Sequence, residues 1–220
     1  MRRMFHRIAP RYDLITRVFS YGMDRSWKRL AVERACLSQD ALALDLACGT
    51  GDFSKLVLRT RPQARVVAAD LTAAMLGLAR EGGIERVLCA DAMRLPFREE
   101  SFDAVFVGYG LRNFPRLPSA LEEIRRVLRP GGLLVSLDFF LPARPVLRQL
   151  YLGYLYLQGA FWGLVLHGRP RTYTYIPDSL RSFLSARELS QALERAGYTQ
   201  VTAKSFIFGG IALHWGARGQ

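Results

Sequence analysis

At residues 41–52 the chain reads ALALDLACGTGD, and FSKLVLRT follows directly. An aliphatic run breaks into Gly49-Thr50-Gly51 and then takes up helical spacing. A strand that passes through a glycine turn into a helix opens an α/β fold, because glycine lets the backbone double back tightly between the two. The theme recurs. RVVAAD (65–70), RVLCA (86–90), FDAVFVG (102–108) and LLVSLDFF (133–140) read as further strands, with helices at Phe53–Thr60, Ala73–Arg80 and Pro118–Leu128. Pro62, Gly82-Gly83 and Pro130-Gly131-Gly132 end those helices, and Leu121, Ile124 and Leu128 share one stripe of the third. Strands that are apolar throughout, instead of alternating, belong in a parallel sheet covered on both faces.

Around this core, Arg11–Leu37 reads as helix in two pieces, split at Ser20-Tyr21-Gly22. Ser185–Gly197 is an N-capped helix that ends on glycine. VTAKSFIF (201–208) and IALHWGA (211–217) form a strand pair that completes the sheet. A chain of 220 residues holds one such core with a cap. The expected division of this single domain is an N-terminal helical cap (1–37), a cofactor-binding core (38–142), a cap insertion (143–184) and a C-terminal helix with the strand pair (185–220).

The glycine turn also limits the ligand. Gly49 and Gly51 are not followed by the third glycine that a dinucleotide fold needs where its helix packs beneath a pyrophosphate; Phe53-Ser54 stand there. With Asp45 just before the turn and Asp52 just after it, the loop disfavours a diphosphate and suits a ligand with a cationic centre. An adenosyl sulfonium is such a ligand. The second strand ends on Asp70, where a carboxylate accepts hydrogen bonds from a pair of ribose hydroxyls. The third leads into Asp91-Ala92-Met93, which offers an acceptor to an adenine amino group and apolar flanks to its ring. One acid at a strand end is often only a helix cap. Acids on consecutive strands, all at the carboxyl edge where open sheets bind ligands, point to S-adenosyl-L-methionine.

Net charge is +12, and it is unevenly spread: residues 1–34 carry +6, 35–143 are balanced, and 144–187 carry +5. Such asymmetry predicts a basic face for an anionic partner, either nucleic acid or a membrane surface, although 28 Arg against three Lys and one Asn also fits a plain compositional bias. Between Arg148 and Arg169 there is no formal charge, and Leu150–Leu166 is rich in Leu, Tyr, Phe and Trp. Gly153, Gly159, Gly163 and Gln158 interrupt it, and a span here would separate the last strands from the sheet, so an amphipathic helical cap is expected instead. MRRMFHRIAPRYD is basic but is followed by no apolar stretch of the kind a secretory signal needs. Cys36, Cys48 and Cys89 are too few and too scattered for a disulfide framework, and with His6, His167 and His214 equally dispersed no metal site is expected. Cys48 reads as a small turn residue and Cys89 as strand core.

LDLACGTGD, the Asp70 strand end, DAMRLPF, SFDAV and RVLRPGG resemble the class I S-adenosylmethionine-dependent methyltransferases. MFHRIAPRYDLITRVFSYGMDRSWKR, YGLRNFP (109–115), YTYIPDSLRSF (173–183) and GGIALHWG (209–216) are narrower. They resemble the ubiquinone/menaquinone biosynthesis methyltransferases, from Met4 to Gly216, with the short start more similar to the demethylmenaquinone enzymes. The resemblance implies a Rossmann-like α/β fold: a seven-stranded, mostly parallel sheet whose last strand is antiparallel, with helices on both faces and a helical cap. It implies cofactor contacts at Thr50, Asp70, Asp91 with Ala92, and Gly108, which join Asp45, Gly49 and Gly51 of the loop. Gly108 stands where the family commonly has serine, which leaves only backbone contact there. Thr16, Ala160 and Arg169 replace an asparagine, a proline and an aspartate of the usual cap.

The implied activity is C-methylation of 2-demethylmenaquinol to menaquinol. Its candidate catalytic residues are Arg112, to stabilise a developing phenolate, Asn113, to orient that oxygen or a water, and Tyr12, closing from the N-terminal cap. The structural alternatives are an Arg112 paired with a loop acid, an Asn113 that caps the next helix and a Tyr12 that only packs. Tyr173 and Tyr175 either line the ring pocket or fill the cap core. The expected partners are a polyprenyl naphthoquinol and an anionic membrane surface, without nucleic acid and with a homodimer left open; the expected location is cytoplasmic, peripheral at the inner face of the membrane. The rival functions are methylation of another small aromatic or benzoquinol substrate and a basic nucleic-acid-binding module.

Overall fold

A computed structural model describes residue 9 and residues 12–219, and within these the side chains of all but Tyr12 and Asp13. Two helices lead in, α1 (Tyr12–Phe19) and α2 (Asp24–Arg34), broken at the predicted Ser20–Gly22. The core then alternates β1 (Leu42–Leu46), α3 (Asp52–Thr60), β2 (Arg65–Asp70), α4 (Ala73–Glu81), β3 (Val87–Cys89), β4 (Phe102–Gly108), α5 (Leu117–Val127) and β5 (Leu128–Phe139). α6 (Pro145–His167), α7 (Tyr175–Ser182) and α8 (Ala186–Arg195) precede β6 (Tyr198–Phe206) and β7 (Ile211–Arg218). The seven strands form one sheet in the order β3-β2-β1-β4-β5-β7-β6, parallel from β3 to β5, with β7 antiparallel to both its neighbours.

Alternate residues of each strand serve opposite layers, as the pleat requires. Ala43, Phe106, Val135, Leu137 and Leu213 face α2, α3 and the cap, where Trp27, Phe53, Leu155, Tyr173 and Ile176 are buried. Leu44, Leu46, Val105, Leu134 and Ala212 face α5 and α8, burying Leu121, Ile124, Leu189 and Leu193. The central strands β1 and β4 are largely apolar because both faces are covered there, whereas the edge strand β6 is mostly exposed. Ser185 caps α8 through a reciprocal pair with Glu188, as the sequence indicates.

Three expectations need correction. Pro130-Gly131-Gly132 does not separate a helix from a strand; it lies inside β5, where the pairing with β4 shifts register between Phe102 and Ala104. A Cβ on Gly132 would sit 3.1 Å from the carbonyl oxygens of both Phe102 and Asp103, so the glycine permits a close backbone approach. Ile207 and Phe208 leave the predicted strand for a tight turn with φ near +47° and +53°. Cys89 is exposed, because β3 is the short edge strand of the sheet, whereas Cys48 is buried in its turn.

α6 is a single helix, and two of its three glycines, Gly159 and Gly163, are contacts more than interruptions. A Cβ on Gly159 would lie 3.0 Å from the Tyr173 carbonyl oxygen, and one on Gly163 2.6 Å from that of Arg169. The helix thus lies directly against the backbone of 169–174, with Tyr151 and Leu155 buried alongside. Its other side leaves Val146, Leu150, Leu157, Phe161 and Leu164 exposed. Stacking of Tyr21 on Tyr154 at 5.5 Å joins the two cap segments. Among the described residues no helix is long and apolar enough to cross a membrane.

Gly163→Ala is expected to lower stability by about 1–3 kcal/mol through overpacking against fixed backbone. Gly153→Ala, with nothing among the described residues within 4 Å of the new Cβ, should gain up to ~1 kcal/mol from helix propensity. Urea unfolding of the two variants side by side checks the contrast.

Candidate active site

The turn after β1 is shaped by backbone that favours glycine: Ala47, Gly49 and Gly51 all have positive φ, with Gly51 at +83°. Gly51 is also tightly packed, since a Cβ there would fall 3.1 Å from Ile84. It serves the turn and the packing of α3 against α4, and it lines neither of the two cavities beside the turn. Asp45 points under the loop. Its Oδ2 accepts from the Ser54 N–H at 2.9 Å and the Ser54 hydroxyl at 2.7 Å, fixing the first turn of α3. Asp52 reaches the other way, to Lys28 Nζ of α2 at 2.5 Å. Neither carboxylate stands free beside the turn, so the expected pair of open negative charges is spent on internal partners.

A cavity of about 260 Å³ opens at the carboxyl ends of β1, β2 and β4. Gly49, Asp70, Asp91, Ala92, Gly108 and Asn113 all line it, with Met75, Ala90, Met93 and Phe114 as apolar walls. Asp70 is anchored by the Gly49 N–H on Oδ2 at 3.0 Å and by the Thr72 N–H on Oδ1 at 2.8 Å. Burial holds its carboxyl above the usual range despite these bonds. A carboxylate oxygen accepts more than one hydrogen bond, so both oxygens keep capacity toward the cavity. Asp91 closes its own turn by accepting from the Met93 N–H at 2.9 Å. Gly108 faces the Phe53 ring so closely that a Cβ would lie 2.8 Å from it, which accounts for glycine at this position. Thr50 is not in this cavity; it borders a smaller one of about 20 Å³ with Lys28, Asp52 and Tyr109. A mostly apolar slot with an acid at two successive strand ends fits a flat nucleoside.

The loop after β4 separates its two polar residues. Asn113 borders the cavity: its Nδ2 donates to the Tyr109 carbonyl at 3.3 Å, while its buried Oδ1 has no hydrogen-bond partner among the described residues. It does not cap α5, whose N-cap is Arg116 without a side-chain bond. Arg112 lies behind the loop, its side chain 3% exposed, and pairs with the equally buried Asp138 of β5. It also donates to the Tyr109 carbonyl at 2.9 Å and hydrogen-bonds Tyr175, whose hydroxyl is pushed up by burial. Arg112 borders a different cavity of about 570 Å³ between α5 and α8. Tyr173 is fully buried in the cap core, its hydroxyl 2.9 Å from His167 Nε2. The Tyr12 side chain lies outside the described residues. Sequence reasoning passed over Lys28 and Asp138. An acid inside the apolar run SLDFF was the available signal for the second.

The sequence model of the ubiE/COQ5 methyltransferase family matches residues 1–218. A demethylmenaquinone methyltransferase of Thermus thermophilus is 40% identical over 220 residues, covering 98% of this chain and 100% of its own. The ubiquinone/menaquinone biosynthesis C-methyltransferase UbiE of Desulfotalea psychrophila is 38% identical, covering 98% and 89%. Among solved structures, the complex between the Haloferax volcanii Trm112 methyltransferase activator and a putative methyltransferase superposes with a TM-score of 0.71 at 18% identity, over 98% of both chains, and shares the fold.

Burial pushes the Asp45 carboxyl up to about 7, against the bonds from Ser54 that favour its charged form; Asp52 raises it further and Lys28 lowers it. Unfolded, the group titrates near ~4. Through that window the folded chain holds a proton that the unfolded chain has lost, so stability falls as pH rises. Asp45→Asn keeps an oxygen for Ser54 and removes this share of the slope. Relative to the parent, its unfolding free energy should climb by on the order of a few kcal/mol between about pH 4 and pH 8. Parallel pH profiles in urea titrations would contradict the assignment.

Proposed function

The chain belongs to the ubiE/COQ5 methyltransferase family, and on that premise we propose that it methylates a ring carbon of reduced 2-demethylmenaquinone, a quinol with a polyprenyl tail, to give menaquinol. S-adenosyl-L-methionine supplies the methyl group on a positively charged sulfur, already activated for transfer. The observation that carries the reading is one cavity bordered by Asp70, Asp91 and Asn113, in a chain 40% identical over its length to a relative named for this reaction.

Within it, Asp70 accepts from the ribose hydroxyls, and Asp91 accepts from the adenine amino group with Ala92 and Met93 against the ring. Gly49 and Gly108 let backbone come close, and Thr50 serves the far end of the cofactor from the smaller cavity. A quinol ring carbon is a weak nucleophile until a neighbouring hydroxyl shares or loses its proton. Asn113 Oδ1, a buried acceptor with no partner among the described residues, receives that hydroxyl's hydrogen bond and fixes the ring for in-line attack. Arg112 is a positioning residue: its charge is met by Asp138, and it acts by holding the loop that carries Asn113. A benzoquinol is the second reading, favoured by the relative named for both quinone pathways.

A substrate with a polyprenyl tail resides in the bilayer, so the enzyme works at an anionic membrane surface on the cytoplasmic side. The exposed apolar side of α6 and the exposed Arg144, Arg148, Arg169 and Arg171 near its two ends form the docking face. Each arginine near such a surface contributes about 1 kcal/mol.

Labelled cofactor should pass its methyl group to reduced demethylmenaquinone in preference to a benzoquinol, and Asn113→Ala should lower kcat about 100-fold while the protein stays folded. Equal turnover of the variant in single-turnover assays would remove Asn113 from the chemistry. Vesicle flotation should show binding to anionic over neutral lipid, reduced at least about tenfold by Leu150→Ser with Leu157→Ser and Phe161→Ser; binding unchanged by the triple substitution would move the docking face elsewhere.

A further inference from the structure

The turn between β6 and β7 places two side chains where the backbone resists them. Ile207 and Phe208 are both left-handed, at φ +47° and +53°, a conformation that is costly for a bulky residue and most of all for a β-branched one. The turn is nevertheless fixed. The Gly210 N–H donates to the Ile207 carbonyl at 2.8 Å, and the Gly210 carbonyl accepts from the Phe140 N–H at 2.9 Å and from the Tyr151 hydroxyl of α6 at 3.1 Å. Behind it Phe206 stacks on Trp27 of α2 at 5.1 Å, and Ile207 packs against the core. Phe208 is left 85% exposed, more than any other large apolar residue among those described. A strained turn held rigid with an aromatic ring in water gains nothing from that ring in the isolated chain. It suits a partner that takes the ring out of water.

The surroundings of the ring narrow that partner. A Cβ on Gly209 would lie 3.8 Å from Cα of Pro142, and the Pro142 carbonyl accepts from Arg148 Nε at 3.2 Å. A guanidinium therefore stands beside the tip. On α6 the exposed Leu150 is the neighbour of Tyr151, and the exposed Val146 lies one turn earlier. On β6 the Lys204 ammonium lies 5.8 Å from the Phe206 ring. The two segments that build this surface, 139–177 and 196–220, contain no aspartate or glutamate. A second copy of the chain would set like charges against each other. An anionic bilayer meets the cationic rim with opposite charge and the apolar side chains with its acyl boundary.

Resting on the membrane reading of α6 above, we propose that Phe208 is a second and separate anchor: a rigid wedge that enters the headgroup boundary of an anionic bilayer while α6 lies along it. A helix alone on a surface is free to roll about its axis. A fixed contact on a different element, tied to the helix through the Tyr151–Gly210 bond, stops that roll and sets the tilt of the whole molecule on the membrane.

Flotation of the whole chain with vesicles of phosphatidylcholine, alone or mixed with phosphatidylglycerol, tests the anchor. Phe208→Ser should weaken binding to the mixed vesicles about tenfold, and Phe208→Trp should bind as the parent does. The new tryptophan should also shift its emission to the blue on the vesicles and be quenched by lipid brominated in its acyl chains, beyond the quenching of the parent's three tryptophans. Parent-level flotation of Phe208→Ser, or a tryptophan at 208 that brominated lipid leaves unquenched, would overturn the anchor while the α6 face stands. A dimer in sedimentation that Phe208→Ser dissociates would give the ring to a second copy and overturn it too. If the parent itself ignores anionic vesicles, the membrane reading fails and the anchor with it.

Discussion

A guanidinium and a carboxylate meet behind the cavity wall with almost no access to water: Arg112 and Asp138, with side chains 3% and 1% exposed. Withdrawing both charges from solvent is costly, and attraction repays it only where further hydrogen bonds complete the arrangement. They do. Arg112 reaches the Tyr109 carbonyl and Tyr175, and its guanidinium lies 5.3 Å over the Phe139 ring, while Asp138 also accepts from the Phe139 N–H. This knot joins the exit of β4, the end of β5 and the cap helix α7. It also holds Tyr109 in a left-handed conformation at φ +57°, and the Tyr109 carbonyl in turn fixes the Asn113 amide. Removing Arg112 leaves the Asp138 carboxylate buried without its guanidinium, so a single substitution in the cavity wall is costly.

Much of the architecture was legible because its signals are local. Apolar runs, glycine turns and an N-capped helix each report on a few neighbouring residues, and they mark strands that the structure has within a few residues. The misreadings share a cause. Whether Pro130-Gly131-Gly132 ends a helix or bulges a strand depends on carbonyls of Phe102 and Asp103, some thirty residues away along the chain. Nothing in the tripeptide itself contains that information.

The candidate site divides in the same way. Asp70 and Asp91 were legible because a parallel sheet brings every strand's carboxyl end to one edge, whatever lies between. Asp45 was not: it lies in register with Ala68 and Phe106, and its pleat turns it toward Ser54 beneath the loop. Arg112 and Asn113 are adjacent in sequence, yet the tight turn over Leu111–Asn113 sends them to opposite sides. Spacing alone could not tell which of them meets the cavity. The described part of the first basic segment does meet the second, through the stacking of Tyr21 on Tyr154.

The uncovered side of α6 has a consequence for the isolated protein. With Val146 72%, Leu150 67% and Leu157 70% exposed, and Phe208 at 85% on its hairpin tip, the molecule carries oily ground next to a cationic rim. In dilute buffer it is a surfactant in its own right. It will collect at air bubbles and on plastic, and a mild detergent in the buffer covers these side chains.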